Sequence, residues 1–374
     1  MAQPHTDHPK IQNHQDSTQT SLPADSGVSH LPETTSQRQQ ASIAKQSLEN
    51  DDHLPEHLPE KLAHQHDDAH LQKPEETVLY LAYGSNLNSK TFLGRRGIKP
   101  LSQINVIVPE LRLTFDMPGL PYLEPCFAAT QFRDLTSKNE SSAEDTPLIA
   151  HDDDKNDEND DDPNPYNPNK ALIGVAYEVT LTDYARIIAT EGGGSGYKDI
   201  VVDCHPFPEP YRPEDPIPDI PTTPSFKAHT LLSPSNSATA SRLKSPTRSH
   251  LITRPELGYA QPSARYLGLI TNGAAEHDLP VSYRRYLARL PPYRASTVRQ
   301  KVGRAVFIAV WAPLFLPILI LKQVFAGPDG RSPAWLVWYE QLVLPSMWWS
   351  YDNVFFSIFG DGERSVEKVD RSGA

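Results

Sequence analysis

Cysteine is nearly absent. The 374 residues hold two, Cys126 and Cys204, with no Cys-x-x-Cys pair and no metal-ligand spacing. That argues against a disulfide scaffold and fits a reducing compartment. Both thiols are expected as small buried side chains. The start MAQPHTDHPK lacks the basic n-region and apolar h-region of a secretory signal. Apolar residues are scarce as well, at 38% beside 36 prolines. That is too little for two full cores, although the length alone suggests two domains. Acidity is local rather than general: residues 140–162 hold eleven Asp and Glu against one lysine, and so carry ten of the twelve net negative charges. The remainder is close to neutral, which leaves no nucleic-acid footprint and no acidic binding face.

What is there falls into alternating polar and apolar stretches. Residues 1–75 are rich in His, Gln, Ser, Pro and acids and contain nine of the fourteen histidines. This composition reads as a disordered tail, and the spacing of His64, His66 and His70 reads as solvated low complexity rather than a metal site. Residues 76–295 read as one folded domain interrupted by two loop insertions. The first, at 134–169, is acidic; the second, at 206–262, has eight prolines between Pro206 and Pro224. What remains is about 130 residues, a normal single-domain size.

Inside that domain, Val78, Leu79, Tyr80 and Leu81 read as a buried strand that breaks into Tyr83-Gly84-Ser85-Asn86-Leu87. Gly84 permits backbone geometries closed to other residues, and Ser85 and Asn86 favour turns. Such a turn can aim several backbone N–H groups at a carboxylate or an oxyanion. Residues 171–179 are β-rich. Thr180 and Asp183 then approximate a capping box for a helix whose apolar face is Leu181, Tyr184, Ile187 and Ile188. Glu191 stands at that helix's end, before Gly192, Gly193 and Gly194. Residues 200–204 read as a strand. Residues 263–293 read as a closing strand and a short helix.

The stretch from Tyr83 to Leu87 resembles the substrate-loop signature of the γ-glutamylcyclotransferases. Two further stretches support the resemblance in the same order. IGVAYEVTLTDYARIIATE at 173–191 is similar to that family's strand, helix and catalytic glutamate. PSARYLGLITNGAAEHDLP at 262–280 is similar to its Pro-Ser-x-x-Tyr and Gly-Ala-x-Glu-x-x-Leu-Pro segment. The glycine-rich wording around Glu191 resembles the fungal branch associated with gliotoxin-type metabolism.

The resemblance implies an α+β fold, a small closed mixed β-barrel flanked by helices with its site at one mouth. It implies an enzyme that cyclises a small γ-glutamyl substrate without cofactor or metal. The glutamyl α-amine attacks the γ-amide carbonyl and releases 5-oxoproline with an amino acid or amine. Glu191 is then the general acid and base. Tyr83, Gly84, Ser85, Asn86 and Leu87 hold the substrate, and Tyr197 and Tyr266 line the pocket. The spacing from Glu191 to Tyr197 departs from the mammalian pattern. Two alternatives stand beside this reading: a glutathione-specific cyclotransferase, whose shorter loop lacks the Asn, and a non-catalytic γ-glutamyl-binding module tethered to a membrane.

The region 296–374 has no counterpart in compact relatives. Seven Arg and Lys lie between Arg284 and Arg304. Seventeen uncharged, almost wholly apolar residues follow at 305–321, and no acid occurs from 279 to 328. Seventeen is the lower limit for spanning a bilayer, and Pro313 and Pro317 would kink a helix there. With the aromatic run at 335–359, this predicts membrane association through 305–359 of an otherwise cytoplasmic protein, on the cytosolic face. The competing expectation is a helix packed on the core. Oligomeric state is left open, a homodimer included.

Overall fold

The computed structural model describes residues 31–45, 58–63, 75–133, 169–191, 198–218, 220–232, 252, 254, 258–325, 327 and 331–366. Strands β1 (Thr77–Ala82), β2 (Ser102–Val108), β5 (Leu172–Thr180), β6 (Lys198–Pro206) and β7 (Phe226–Leu232) close into a barrel in the order β1-β5-β2-β6-β7. Strands β3 (Leu111–Leu120) and β4 (Glu124–Phe132) form a separate hairpin. The α+β reading therefore holds. Val78 through Ala82 are all buried, as are Leu172 through Tyr177. These strands are apolar on both faces because the barrel lumen covers one side and helices or the β3–β4 hairpin cover the other. Full burial of such side chains stabilises by roughly 1.5–3 kcal/mol each.

The barrel closes unevenly. β1 pairs with β5 over six aligned residues, and β6 with β7 over seven. β7 meets β1 in parallel through a single aligned pair, Tyr80 with His229. A buried polar cluster lies beside that seam: His229 Nδ1 is 3.0 Å from Asp199 Oδ2, and the Tyr184 hydroxyl donates to Asp199 Oδ1.

Three sequence expectations need correction. Part of the segment assigned to a disordered tail is packed: α1 (Ser36–Lys45) lies against β7, and Glu33 bridges to Gln103. Polar links hold it, chiefly Arg38 Nε to Glu178 Oε1 at 2.7 Å and the Lys227 N–H to Ser42 Oγ at 3.0 Å, which is why hydropathy missed it. The Pro-rich insertion expected at 206–262 contains β7, without which the barrel would stay open. The closing strand expected after 263 is a helix, α3 (Ala264–Glu276), followed by α4 (Val281–Arg289). Tyr266, Leu267, Ile270 and Ala274 are buried at helical spacing. The acidic insertion lies outside the described residues, apart from Asn169 at its end.

Helix α2 (Leu181–Thr190) forms as expected, with half of the capping box. Thr180 Oγ1 accepts from the Asp183 N–H at 3.1 Å, but the Asp183 carboxylate accepts from the Lys99 N–H at 2.9 Å and pairs with Arg186. Two long helices follow α4: α5 (Val298–Val324), continuous through Pro313 and Pro317, and α6 (Ala334–Ser350), which continues as helix to Phe359. Their feet pack with Tyr122, at the tip of the β3–β4 hairpin, around Phe307, Met347, Trp348, Tyr351 and Phe355. The Tyr122 hydroxyl donates to the Gly360 carbonyl at 2.7 Å, and its N–H to the Gly362 carbonyl at 2.7 Å.

Candidate active site

Where β1 runs out of the barrel, the chain turns through Gly84 into one turn of 3-10 helix, Ser85–Leu87. Gly84 has φ −108°, so a left-handed turn is not what it supplies. It supplies space: a Cβ there would lie 3.3 Å from the Tyr266 hydroxyl. The loop is held from outside by α3. Gly273 lets the helix touch the loop backbone, since a Cβ at 273 would lie 2.5 Å from the Leu87 carbonyl carbon. Three residues past Gly273, Glu276 accepts from the Ser89 N–H at 2.8 Å and from Asn88 Nδ2 at 3.1 Å. His277 Nε2 lies 3.1 Å from the Leu87 carbonyl and 2.7 Å from the Tyr177 hydroxyl. Burial holds the His277 pKa below its ordinary value, so the ring stays neutral at physiological pH.

These supports put the loop against the end of α2. Asn86 Nδ2 donates to Glu191 Oε1 at 3.0 Å and to the Tyr80 hydroxyl at 2.8 Å. The Arg96 guanidinium pairs with the same carboxylate oxygen at 2.5 Å and donates to Thr190 Oγ1 at 2.9 Å. Both contacts fall on Oε1, so Glu191 Oε2 has no hydrogen-bond partner among the described residues and can serve a proton-bearing group. Asn86 is 3% exposed, and its Oδ1 has no partner among the described residues. Burial alone would lower the Arg96 pKa, but the Glu191 charge and hydrogen bond outweigh it and raise the value. Arg96 therefore remains a guanidinium.

A cavity of about 300 Å³, its mouth included, is lined by Tyr80, Tyr83, Gly84, Ser85, Asn86, Ala128, Glu191, Leu231 and Tyr266. Burial pushes the Tyr80, Tyr83 and Tyr266 phenols well above their ordinary pKa, with the Glu191 charge adding to each. All three stay protonated at neutral pH. Tyr83 gives its proton to the Leu231 carbonyl at 2.6 Å. Tyr266 accepts from the Ala128 N–H at 3.1 Å, and Tyr80 from Asn86, so each keeps its own hydrogen to donate. Cys126 and Cys204 are free and buried, with pKa values raised by burial. No cluster of three or more metal-ligating side chains occurs among the described residues.

Of the residues singled out from sequence, Tyr83, Gly84, Ser85, Asn86, Glu191 and Tyr266 meet at one cavity. Leu87 does not: its side chain is fully buried, and it serves through its carbonyl. Tyr197 lies outside the described residues. Sequence reasoning missed Arg96, Tyr80 and the Gly273–Glu276–His277 clamp. For Arg96 the only signal was a basic pair after the loop; for the clamp it was a motif with no stated task.

A carboxylate held by a guanidinium and an amide, at the wall of a small cavity ringed by neutral hydroxyl donors, is equipment for moving protons on a small polar molecule. The comparisons with known proteins agree with that class. The chain is 32% identical over 296 residues to the gamma-glutamyl cyclotransferase gliK of Aspergillus fumigatus, covering 79% of this chain and 92% of the relative. It is 31% identical to the gamma-glutamyl cyclotransferase aclK of Aspergillus oryzae, covering 77% and 91%. Residues 297–358 match the family model described as the AclK C-terminal domain. A solved gamma-glutamyl cyclotransferase structure aligns over 62% of this chain and 99% of its own at 15% identity, with a TM-score of 0.36. The chain belongs to the gamma-glutamyl cyclotransferase family.

Proposed function

We propose that this protein is a γ-glutamyl cyclotransferase acting on γ-glutamyl amino acids or γ-glutamyl amines, with Glu191 as general base and then general acid. The observation that carries the reading is the 3.0 Å contact between Asn86 and Glu191, which joins the substrate loop to a carboxylate 105 residues away. The α-ammonium gives a proton to Glu191 Oε2, and the freed amine attacks the γ-carbonyl carbon. A C–N bond forms in a five-membered ring, Glu191 returns the proton to the departing nitrogen as the amide C–N bond breaks, and the ring nitrogen's second proton passes through Glu191 to the released amine, which leaves as an ammonium.

Each requirement has a residue to meet it. Curling the glutamyl chain so that its reacting atoms meet needs fixed partners, which the loop at 83–86 offers along a short, braced turn. The developing oxyanion needs donors, and the loop N–H groups and the Tyr266 hydroxyl are the nearest supply. Asn86 Oδ1 is suited to accept from the α-amine. Because Asn86 contacts Glu191 directly, the reading favours a general γ-glutamyl amide over a glutathione-only enzyme.

The test is 5-oxoproline release by the full chain from a panel of γ-glutamyl dipeptides, γ-glutamyl amines and glutathione, beside Glu191→Gln. Acid–base catalysis of this kind contributes about 10²- to 10⁴-fold, and the variant is expected to lose that much while its melting temperature stays close to wild type. Wild-type turnover in Glu191→Gln would remove Glu191 from the mechanism. A folded wild type that releases 5-oxoproline from no member of the panel would favour a binding module.

A further inference from the structure

Helices α5 and α6 leave the barrel together as a two-helix arm, and what that arm shows to its surroundings is apolar. Val310, Leu314, Leu319, Ile320, Trp335 and Trp338 are all exposed, Trp338 by 66%. The helix from Val298 to Lys322 is long and apolar enough to cross a membrane, yet only 17% of its most apolar window is buried. A helix on the surface of a globular protein keeps its apolar stripe inward and a charged face outward. This one has no charged outer face beyond its foot. Core packing, the competing expectation from sequence, applies where Phe307 and its neighbours meet Tyr122 and where α5 touches α2.

Charge is distributed by level along the arm. Among the described residues from 305 to 350, the only charged side chains are Lys322, Arg331 and Glu340. Lys322 and Glu340 face each other between the helices at 2.6 Å, each side chain under 10% exposed, so the pair neutralises itself inside the arm. Charged side chains that lie at hydrocarbon depth are characteristically paired in this way. Below the arm, the exposed Arg294, Lys301 and Arg304 form a basic foot. The acid at the same level on the other helix, Asp352, is taken up by Arg254 at 2.9 Å.

The dimensions match one environment. From Arg304 to Phe325 is 21 residues, roughly 31 Å of helix at 1.5 Å per residue. A bilayer's hydrocarbon core is about 30 Å thick. Aromatic side chains sit near both ends: Phe325 packs on Trp335 with ring centroids 5.7 Å apart at the tip, and Trp349, 65% exposed, lies toward the foot. Trp favours the two interfaces of a membrane. Prolines inside both helices are tolerated there, where neighbouring helices resatisfy the backbone.

We infer that the α5–α6 arm inserts into a lipid bilayer as a hairpin, with its basic foot against anionic headgroups and the barrel outside the membrane. The occupant of the apolar face is lipid, because a protein partner would leave the depth-matched basic foot and aromatic ends without a purpose. The inference stands apart from the catalytic reading and is tested apart from it.

The experiment is flotation of the full chain, purified in mild detergent, with vesicles of phosphatidylcholine and phosphatidylserine, followed by high-salt and alkaline carbonate washes. The protein is expected to float and to resist both washes. Tryptophan emission should shift to the blue and be quenched by brominated acyl chains. A double variant, Leu314→Asp with Leu319→Asp, alters two exposed positions and is expected to stay out of the floating fraction with unchanged 5-oxoproline release. Release by high salt would reduce the contact to surface electrostatics and overturn insertion. A detergent-free monomer that stays below the vesicles would overturn it outright. A stable soluble dimer that the double variant splits into monomers would assign the apolar face to a second copy instead.

Discussion

Gly273 on α3 touches the Leu87 backbone so closely that a methyl group at 273 would lie 2.5 Å from the Leu87 carbonyl carbon and 2.7 Å from the Asn88 nitrogen. Ala is normally the better helix former, by about 0.8–1 kcal/mol. Here the added carbon meets the Leu87 and Asn88 backbone and the Leu87 Cβ fixed to it, all of which belong to the substrate loop or its end. Gly273→Ala is expected to fold, to melt a few degrees lower, and to lose at least tenfold in kcat/KM. Steady-state 5-oxoproline assays with a melting curve check this. Wild-type kinetics in a folded variant would show that the loop tolerates displacement.

Arg96 shares Glu191 Oε1 with Asn86 and also holds the neighbouring Thr190 hydroxyl. Removing the guanidinium leaves the carboxylate one partner and a wider range of rotamers. Arg96→Gln is expected to lower kcat by roughly 10- to 100-fold with a small change in KM, within the span attributable to a misplaced acid–base group. Arg96→Lys should recover part of the loss, because it restores a charge without the planar fork. Equal loss in both variants would assign Arg96 a packing role.

Glu178 connects α1 to the barrel. Burial alone would raise its pKa, but hydrogen bonds from Thr77, Arg38 and Ser102 and the Arg38 charge outweigh it, and the value falls below the ordinary carboxylate range. A carboxylate in the unfolded chain titrates near about 4.3. The stability from this cluster is therefore fully present above that value and is lost as pH falls through the lower folded value. Arg38→Ala removes a lowering influence and moves the folded pKa up. Its acid unfolding, followed by circular dichroism against pH, is expected to begin at a higher pH than that of the wild type.

How far the sequence reached depended on whether the information was local. The strand before Gly84, the cap at Thr180 and the helix ending at Glu191 each declare themselves within a dozen residues. Strand β7 does not, because FKAHTLL is short and stands among prolines and serines that outweigh it in any window. Helix α3 reads as a strand from sequence because YLGLI is a compact apolar run, and periodicity cannot separate strand from buried helix over five residues. Arg96 was beyond reach for another reason: its partner lies 95 positions away, and nothing at 96 advertises a carboxylate. The clamp at Gly273, Glu276 and His277 was visible as a motif, while its purpose depended on knowing what α3 rests upon.

The barrel's seam, where Tyr80 alone aligns with His229, lies under the wall that Leu231 gives to the cavity. A wall joined by so few backbone bonds separates at lower free energy than the six- and seven-residue ladders elsewhere. Side chains supply what the ladder lacks: the Tyr83 hydroxyl donates to the Leu231 carbonyl at 2.6 Å and Thr230 Oγ1 to the Leu81 carbonyl at 3.1 Å. The residue that walls the cavity is thus also a stitch in the barrel, so a change at Tyr83 reaches stability and the site together.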